Sequence, residues 1–532
     1  MIRARLERLK QQDTRRVVMA VLGGKMLGIV SLLGLMKGFG WLFESAAGAT
    51  PVAQVAHQTN DFVSPINTVW VLVTAFLVFF MQAGFMALEA GFARSRETVN
   101  ILMECVFDTC LCGVLYWAIG FAFQFGTGNG LIGHEFFFLH GITAAYGTTG
   151  VAFLAFFLFQ FAFADTASTI TSGAMVGRTG FKGDILYSAA VSGFIYPIFG
   201  HWVWGPGGWL GNTMGWFHSW TGGTVFRDFA GSTVVHTVGG FIALAGCIAL
   251  GPRLGRKFRR DGGGPTAPHD LTIGALGGVI LWFGWYGFNP GSTLSAMDWQ
   301  GIGRVAANTT LAACAAGLVA VVFVYPRSNK WDLGMSVNGF LGGLVAITAP
   351  CYWVSPFGAL VIGAVAGVVV PLGIDFMEHR RWDDPIGAVA VHGFAGIWGT
   401  VSLGLFAAGK YGVPTADGAD TSTVVKGLFY GGGTAQLRAQ VIGSATCVIV
   451  VMSVALLVMH AVKSLRGEWS LRVTKDGELE GLDIHEHGTP AYHMEFGQGM
   501  TYSTPAGLSN GSNVESHSVM RGAETEKEEA PA

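Results

Sequence analysis

Long apolar runs, separated by short polar segments, account for most of this chain. Each run is about 20 residues long, the length that an α-helix needs to cross the hydrocarbon core of a membrane. The alternating runs of about ten residues that are typical of membrane β-strands do not occur. The pattern predicts an all-α polytopic membrane protein with eleven spans, near residues 66–92, 100–124, 149–176, 185–204, 230–251, 271–292, 303–325, 334–351, 357–376, 387–408 and 437–461.

The composition agrees with the pattern. Charged residues are 12% of the 532 residues and hydrophobic residues 51%, whereas a soluble protein carries about 25% charged residues. The formal net charge is −2 and no basic stripe is present, which excludes a nucleic-acid-binding protein. The seven cysteines have no metal-site spacing, so we interpret them as small packing residues.

Loop charges predict the orientation of the spans. The loops after spans 2, 4, 6, 8 and 10, together with their edges, carry only Arg227, Arg304, Lys410 and Lys426. By the positive-inside rule, residue 60 is outside and the segment after residue 461 is cytoplasmic. The loops after the odd-numbered spans carry the thirteen basic residues Arg94, Arg96, Arg178, Lys182, Arg253, Arg256, Lys257, Arg259, Arg260, Arg327, Lys330, Arg380 and Arg381.

The two ends of the chain lie outside the membrane unit. Residues 1–49 are basic and then apolar; the Ala47-Gly48-Ala49 ending suits signal-peptide cleavage, whereas Lys25 and Lys37 suit a retained extra helix. Both alternatives stay open, and both put residue 60 outside. We further predict an external segment over 50–64, a membrane domain over 65–462, a charged cytoplasmic tail over 463–496 and a disordered tail over 497–532.

Two stretches of the chain repeat the same pattern. Asp228, Gly231, Val235, His236 and Gly240 have the same offsets as Asp384, Gly387, Val391, His392 and Gly396. The stretches begin spans 5 and 10, five spans apart, so their helices run in opposite directions. The pattern is typical of an inverted repeat, here five plus five spans with a final helix, which places a site near the bilayer midplane.

Each acid and each histidine of the repeat has a predicted place. Asp228 and Asp384 precede a helix, where a carboxylate accepts hydrogen bonds from the first turn, so we predict helix caps. His236 and His392 lie eight residues further on, about 12 Å deeper by the rise of an α-helix, and an ionisable residue at that depth marks a pathway. Two imidazoles that share a proton suit a narrow apolar pore; the same pair is too few ligands for a closed zinc site.

Seven sequence motifs lie along the chain in this order: Phe80 to Gly91, Asn100 to Met103, His201 to Gly205, Asp228 to His236, Trp285 to Ser292, Asp383 to Gly393 and the Gly481-Leu-Asp segment. Together they resemble those of a known family, the ammonium transporters of the Amt/Mep/Rh family, and specifically their Amt branch. The resemblance covers nearly all of residues 65–495.

The resemblance implies roles for individual residues. His236 and His392 would be the pore histidines, and Phe163 and Phe288 a stacked phenyl gate above them. Trp204 and Ser292, together with Phe163, would recruit ammonium at the outer mouth, and Asp228 would be the essential acid before span 5. Gly387 departs from those relatives that carry an additional Asp at this position.

The resemblance also implies an assembly and a location. The protein would be a homotrimer in a lipid bilayer, by our interpretation the bacterial inner membrane. It would be no enzyme and carry neither cofactor nor metal. A PII-type signalling protein at the cytoplasmic face is an open alternative. So is a second function, an ammonium sensor that signals through the cytoplasmic tail; a metal- or His-dependent intramembrane enzyme is the third.

Overall fold

The structure is a computed structural model, and it describes residues 62–212, 216–411 and 424–492. The predicted signal peptide or extra helix over 1–49 and the predicted disordered tail over 497–532 lie outside the described residues. Residues 50–61 of the predicted external segment and residues 493–496 of the predicted cytoplasmic tail lie outside them too.

Helices occupy the positions of all eleven apolar runs. Nine are long and apolar enough to cross a membrane, counted over the described residues. Two differ: α8 (Leu333–Thr348) is shorter, and α4 consists of the consecutive helical stretches Phe181–Ala190, Val191–Ile195 and Tyr196–Trp204. The others are α1 (Val63–Phe92), α2 (Ser95–Phe125), α3 (Phe153–Gly173), α5 (Ser232–Leu250), α6 (Leu271–Gly291), α7 (Trp299–Ser328), α9 (Pro356–Arg380), α10 (Val389–Phe406) and α11 (Ala435–Lys463).

The remaining elements are short and lie between or after these helices. A two-stranded antiparallel hairpin pairs β1 (Ala145–Tyr146) with β2 (Val151–Ala152) before α3. A single-turn helix spans Trp216–Thr221 between α4 and α5. After α11, the chain forms the short helices α12 (Lys475–Glu480) and α13 (Leu482–His487). The fold is therefore the all-helical polytopic fold that the apolar pattern predicts.

Helices α1 and α6, the first of each half, make the most extensive contact between helices. Their backbones approach so closely that a Cβ atom on Gly91 would lie 2.4 Å from the backbone nitrogen of Gly274. A Cβ on Gly277 would lie 2.3 Å from the nitrogen of Leu88. Small residues allow this approach in membranes, where van der Waals packing rather than the hydrophobic effect drives helix association.

The beginnings of α5 and α10 have the same unusual backbone. Gly231 and Gly387 both adopt positive φ, 114° and 84°, a conformation that glycine adopts without steric strain. A π-helical turn follows each glycine, Ser232–Thr237 in α5 and Val389–Phe394 in α10. Each π-helical turn contains the histidine of the repeat. The sequence repeat is therefore also a repeat of local structure.

The C-terminal segment packs on one side of the molecule, which we call the tail side. Arg472 donates to the carbonyl oxygens of Leu250 and Pro252 beyond the end of α5. The Asp483 carboxylate accepts from the backbone N–H of Asn100 in the first turns of α2, at 2.9 Å. These contacts fix the tail against the ends of α2 and α5.

Candidate functional site

His236 and His392 lie side by side in the interior of the protein. Their Nδ1 atoms are 3.2 Å apart and their ring centroids 5.2 Å. Both side chains are buried. Helices α5 and α10 bring them together because the helices cross with almost no side chain between them: a Cβ on Gly240 would lie 2.3 Å from the nitrogen of Gly393.

The contact between the two Nδ1 atoms constrains the tautomers. In a neutral pair, one Nδ1–H donates and the other Nδ1 accepts, so one ring presents an Nε2 acceptor and the other an Nε2–H donor. Nε2 of His236 is buried with no hydrogen-bond partner among the described residues. His392 lines a cavity of about 20 Å³, with Phe85, Glu89 and Asn338 also on its wall. The cavity has room for about one molecule of the size of water.

Two phenyl rings lie next to the histidine pair, on the side away from the cavity that His392 lines. Phe163 of α3 and Phe288 of α6 stack with centroids 4.0 Å apart and an interplanar angle of 20°. Phe288 also stacks on His236 at 5.4 Å. Both phenyl side chains are buried. The rings and the imidazoles therefore form one continuous aromatic column.

Trp204 lies at the end of α4, next to the phenyl pair. Its ring centroid is 6.2 Å from that of Phe163. Its Nε1–H donates to the backbone oxygen of Asp228 at 2.7 Å, which fixes the indole. Ser292 follows Phe288 by one helical turn, and its hydroxyl donates to the Phe288 carbonyl at 2.8 Å. The Ser292 oxygen keeps a lone pair that can accept a further hydrogen bond.

Asp228 and Asp384 lie at the beginnings of the two histidine helices. The Asp228 carboxylate accepts from four backbone N–H groups, those of Gly231, Ser232, Thr233 and Val234, at 2.8–2.9 Å. The Asp384 carboxylate accepts from three, those of Gly387, Ala388 and Val389, at 2.8–3.2 Å. Each set satisfies donors that have no partner at a helix N-terminus.

The sequence alone did not single out Trp285 as a neighbour of the histidines. Its ring stacks on His236 at 5.1 Å and 22°, and its Nε1–H donates to Thr348 Oγ1 at 2.9 Å. Trp285 precedes Phe288 by three residues, and side chains three apart share a face of a helix. This spacing was the feature of the sequence that could have predicted Trp285 as a neighbour of the histidines.

No group of three or more His, Cys, Asp or Glu side chains suited to a metal ion occurs in the part of the chain that the structure describes. Within that part, the His236–His392 pair therefore stands without a third ligand, and its nitrogens are directed at each other rather than at a common point. The fold and this column define a class: a polytopic membrane protein with a narrow aromatic and imidazole-lined column through its helix bundle.

Comparisons with known proteins identify the family within that class. The profile of the Ammonium Transporter Family matches residues 69–492. The chain is 41% identical over 456 residues to "Ammonium transporter Amt2" of Archaeoglobus fulgidus, covering 85% of this chain and 93% of that protein. This chain therefore belongs to the ammonium transporter family, as its motifs predict, and is a transporter rather than an enzyme.

Solved structures agree with the assignment. A structure titled "Sensor Amt Protein" superimposes with a TM-score of 0.70 at 34% identity, covering 81% of this chain and all of that one. Mep2 of Saccharomyces cerevisiae superimposes with a TM-score of 0.69 at 26% identity, covering 79% of this chain and 91% of that one.

Proposed function

We propose that this ammonium transporter takes up ammonium at Trp204, Phe163 and Ser292, removes its proton and conducts ammonia along His236 and His392. The indole and phenyl faces attract a small cation by cation–π interaction, and the Ser292 oxygen accepts one of its N–H groups. This mouth favours the charged form of the substrate, which is the abundant form at neutral pH.

The column beyond the mouth favours the uncharged form. Phe163 and Phe288 are stacked and buried, so a passing molecule loses its hydration shell there. An intact ammonium ion in such an environment costs several kcal/mol more than ammonia. Transfer of the proton from ammonium to water at the mouth, followed by brief opening of the phenyl pair, is therefore the favoured order of events.

The observation that carries this proposal is the 3.2 Å contact between His236 and His392 directly behind the phenyl pair. Ammonia is both a donor and an acceptor, and the pair offers one Nε2 acceptor and one Nε2–H donor. The imidazoles thus replace the water that ammonia leaves behind. The same contact lets a proton move from ring to ring, so we propose that the proton follows and that transport is electrogenic.

The test compares current with uptake in proteoliposomes. In the wild type, we expect about one charge for each ammonium taken up. His236→Ala interrupts the proton route, so uptake should become uncharged or stop; His392→Ala should act in the same way. His460→Ala, which removes an exposed histidine near the end of α11, is the matched control and should leave the charge per substrate unchanged. An unchanged ratio in His236→Ala would remove the proton relay from the mechanism.

We also propose the arrangement in the cell. The basic loops and residues 467–492 lie on the same side, so this side faces the cytoplasm of a bacterial inner membrane. On this proposal, residues 65–462 form the transport unit, residues 463–496 regulate it, and the protein is a homotrimer. Native mass spectrometry tests the stoichiometry, and addition of a PII-type protein to the same sample tests that partner.

A second candidate function is ammonium sensing. Two observations favour it: the contact of the tail residue Asp483 with α2, and the likeness to a protein titled "Sensor Amt Protein". A sensor changes the position of its tail when ammonium binds. The test places a distance label on α13 in a variant that no longer transports. A label that moves on addition of ammonium would support sensing. A label that stays in place would contradict sensing, and transport would remain as the function.

A further inference from the structure

Beside the column, the protein contains a set of buried acids that the transport mechanism above does not use. We call them the acidic cluster: Glu89 of α1, Glu104 and Asp108 of α2, Asp165 of α3 and Asp184 of α4. Each is at most 2% exposed. Helix α2 packs against α1, α3 and α4, so the five carboxyl groups converge on one region within the membrane domain.

Within the described residues, no positively charged side chain balances the acidic cluster. None of its five members forms an ion pair with a described residue. The basic side chains at the tail-side ends of the same helices have other partners: Arg94 pairs with Glu97 and Lys182 with Glu468, while Arg178 donates to the backbone oxygens of Ala174, Val176, Gly251 and Asp383. Several unpaired carboxylates in a low-dielectric interior are very unfavourable, because each has lost its hydration.

Unsatisfied atoms within the acidic cluster point to what it binds. Asp108 and Asp184 lie against each other, and two adjacent carboxyl groups do not both ionise. Both Asp108 oxygens, Oδ1 of Asp165 and Oδ2 of Asp184 have no hydrogen-bond partner among the described residues. The Ser188 hydroxyl, fully buried beside Asp108, also has none. The four carboxyl oxygens are acceptors that lack donors. The Ser188 O–H can supply one donor to Asp108, and protons on carboxyl groups supply the others.

Glu89 connects the acidic cluster to the column. Its carboxyl group lies on the wall of the cavity that His392 also lines. On its other side, the Cys105 thiol donates to Glu89 Oε2 at 3.9 Å, and Cys105 directly follows Glu104. A water-sized molecule in the cavity therefore has access both to an imidazole of the column and to a carboxyl group of the acidic cluster.

Glu104 connects the acidic cluster to the tail. Asn100 donates to Glu104 Oε1 at 2.8 Å, and Nε2–H of His487 donates to the Asn100 side-chain oxygen at 3.0 Å. Among the described residues, the titratable groups that surround the acidic cluster are Glu97, Cys105, Cys112 and Tyr116 of α2, Tyr187 of α4, and Asp483, Glu486 and His487 of the tail. None of them carries a fixed positive charge.

We propose that the acidic cluster is a proton-binding site that exchanges protons with the pore through Glu89. At neutral pH the cluster holds several protons as neutral carboxylic acids. Glu89 gives its proton to ammonia in the cavity, which becomes ammonium and leaves to the cytoplasm. The Glu89 carboxylate then regains a proton from His392 or from the rest of the cluster, which exchanges protons with the cytoplasm. The proposal deepens the function proposed above, since its exchange step rests on conduction along His392.

Infrared spectroscopy of the purified protein in lipid tests proton binding without transport. We expect a carboxylic acid C=O band at neutral pH that loses intensity in Asp108→Asn and in Asp184→Asn. Glu468→Gln removes an exposed, ion-paired carboxylate instead and should leave the band unchanged. A wild-type spectrum with carboxylate bands alone, as expected if a cation occupied the cluster, would overturn the proposal.

Transport measurements test the exchange with the pore. Glu89→Gln keeps the shape of the side chain but removes the exchangeable proton, so we expect the pH midpoint of ammonium current to shift by about one unit. A midpoint identical to the wild type contradicts the exchange step. The two failures are distinguishable: a C=O band without ammonium transport refutes the proposed function, and transport that depends on His236 without a C=O band refutes the acidic cluster as a proton site.

Discussion

The beginnings of α5 and α10 are built alike and embedded differently. In both, an aspartate caps the helix, a glycine with positive φ follows, and a π-helical turn delivers a histidine to the column. Around the α5 cap, Trp204 donates to the Asp228 backbone, and Phe229 stacks on Tyr352 at 5.1 Å. Around the α10 cap, the preceding residue Asp383 accepts from Arg253 and Arg256 at 2.8–3.1 Å.

The same backbone design therefore serves two ends of a pathway that have different surroundings. Aromatic rings surround the end that we propose to receive a cation, and they attract it without binding it as tightly as a carboxylate would. Ion pairs surround the other end, where they fix the helix to its loops. The shared cap, glycine and π-helical turn position the histidines. The aromatic rings or ion pairs around each cap determine the role of that end.

Loss of the α5 cap should be the most damaging of the changes that compare the two ends. Asp228→Ala leaves four buried N–H groups without an acceptor, so we expect a loss of at least about 4 kcal/mol in folding stability and no uptake. Asp384→Ala leaves three N–H groups at a partly buried site and should cost less. Thermal unfolding in detergent measures both. Equal losses would show that the two caps are interchangeable despite their surroundings.

Loss of the ion pairs next to the α10 cap should have the second-largest effect on stability. Burial raises the pKa of a carboxyl group, but hydrogen bonds from Arg253 and the charges of Arg178 and Arg253 outweigh burial and lower the pKa of Asp383 below its ordinary value. Asp383→Asn leaves Arg253 buried without its partner, so we expect a loss of about 3 kcal/mol.

The pH dependence checks the cause of that loss. A carboxylate with a lowered pKa stabilises the folded state at every pH above its unfolded pKa, and the contribution disappears as the pH falls through the folded value. The difference in stability between wild type and Asp383→Asn should therefore be constant from pH 7 down to about pH 4, and decrease only in stronger acid. A difference that disappears near pH 6 would contradict this account.

Substitution of the glycines that precede the two π-helical turns should have the third-largest effect. A Cβ on Gly231 would lie 2.7 Å from Val235 Cγ2 and 3.2 Å from Trp204 Cη2, at a φ of 114°. Gly231→Ala should cost about 2 kcal/mol and displace the indole. Gly387→Ala, whose nearest contact is Asn338 Nδ2 at 3.1 Å, should cost less. Stability and tryptophan fluorescence measure the two effects, and a larger loss for Gly387→Ala would reverse the comparison.

Substitution of Trp204 at the mouth should change transport less than any of the substitutions above. Trp204→Phe keeps an aromatic face but is a weaker cation–π partner, so we expect about 1 kcal/mol weaker recruitment, seen as a higher half-saturation concentration with little change in maximal uptake. Trp202→Phe, which alters a neighbouring indole of α4, is the control. A fall in maximal uptake instead would mean that Trp204 acts in conduction.

The repeat was predictable from the chain because its residues recur at fixed offsets, and helix geometry converts an offset into depth. The π-helical turns were not predictable, since they depend on the hydrogen bonds that Asp228 and Asp384 accept from several successive N–H groups. The close crossing of Gly240 and Gly393 was also hidden, because it joins residues that are far apart in the chain.

The acidic cluster could be predicted from the sequence only in part. Glu104 and Asp108 are visible as two acids one turn apart within an apolar run. That they meet Asp165 and Asp184 from two other helices depends on how α2, α3 and α4 rotate against one another, which periodicity does not determine. Phe163 and Ser292 were singled out through the resemblance to the family, not through any pattern of their own.

The stacked rings of Phe163 and Phe288 and the buried histidines behind them form one dry segment of the pathway. A segment of low dielectric constant between wet ends takes most of the transmembrane voltage. A charge that crosses this segment would therefore experience most of the membrane potential over its length. The voltage sensitivity of transport would then reside in four ring side chains rather than along the whole length of the helices.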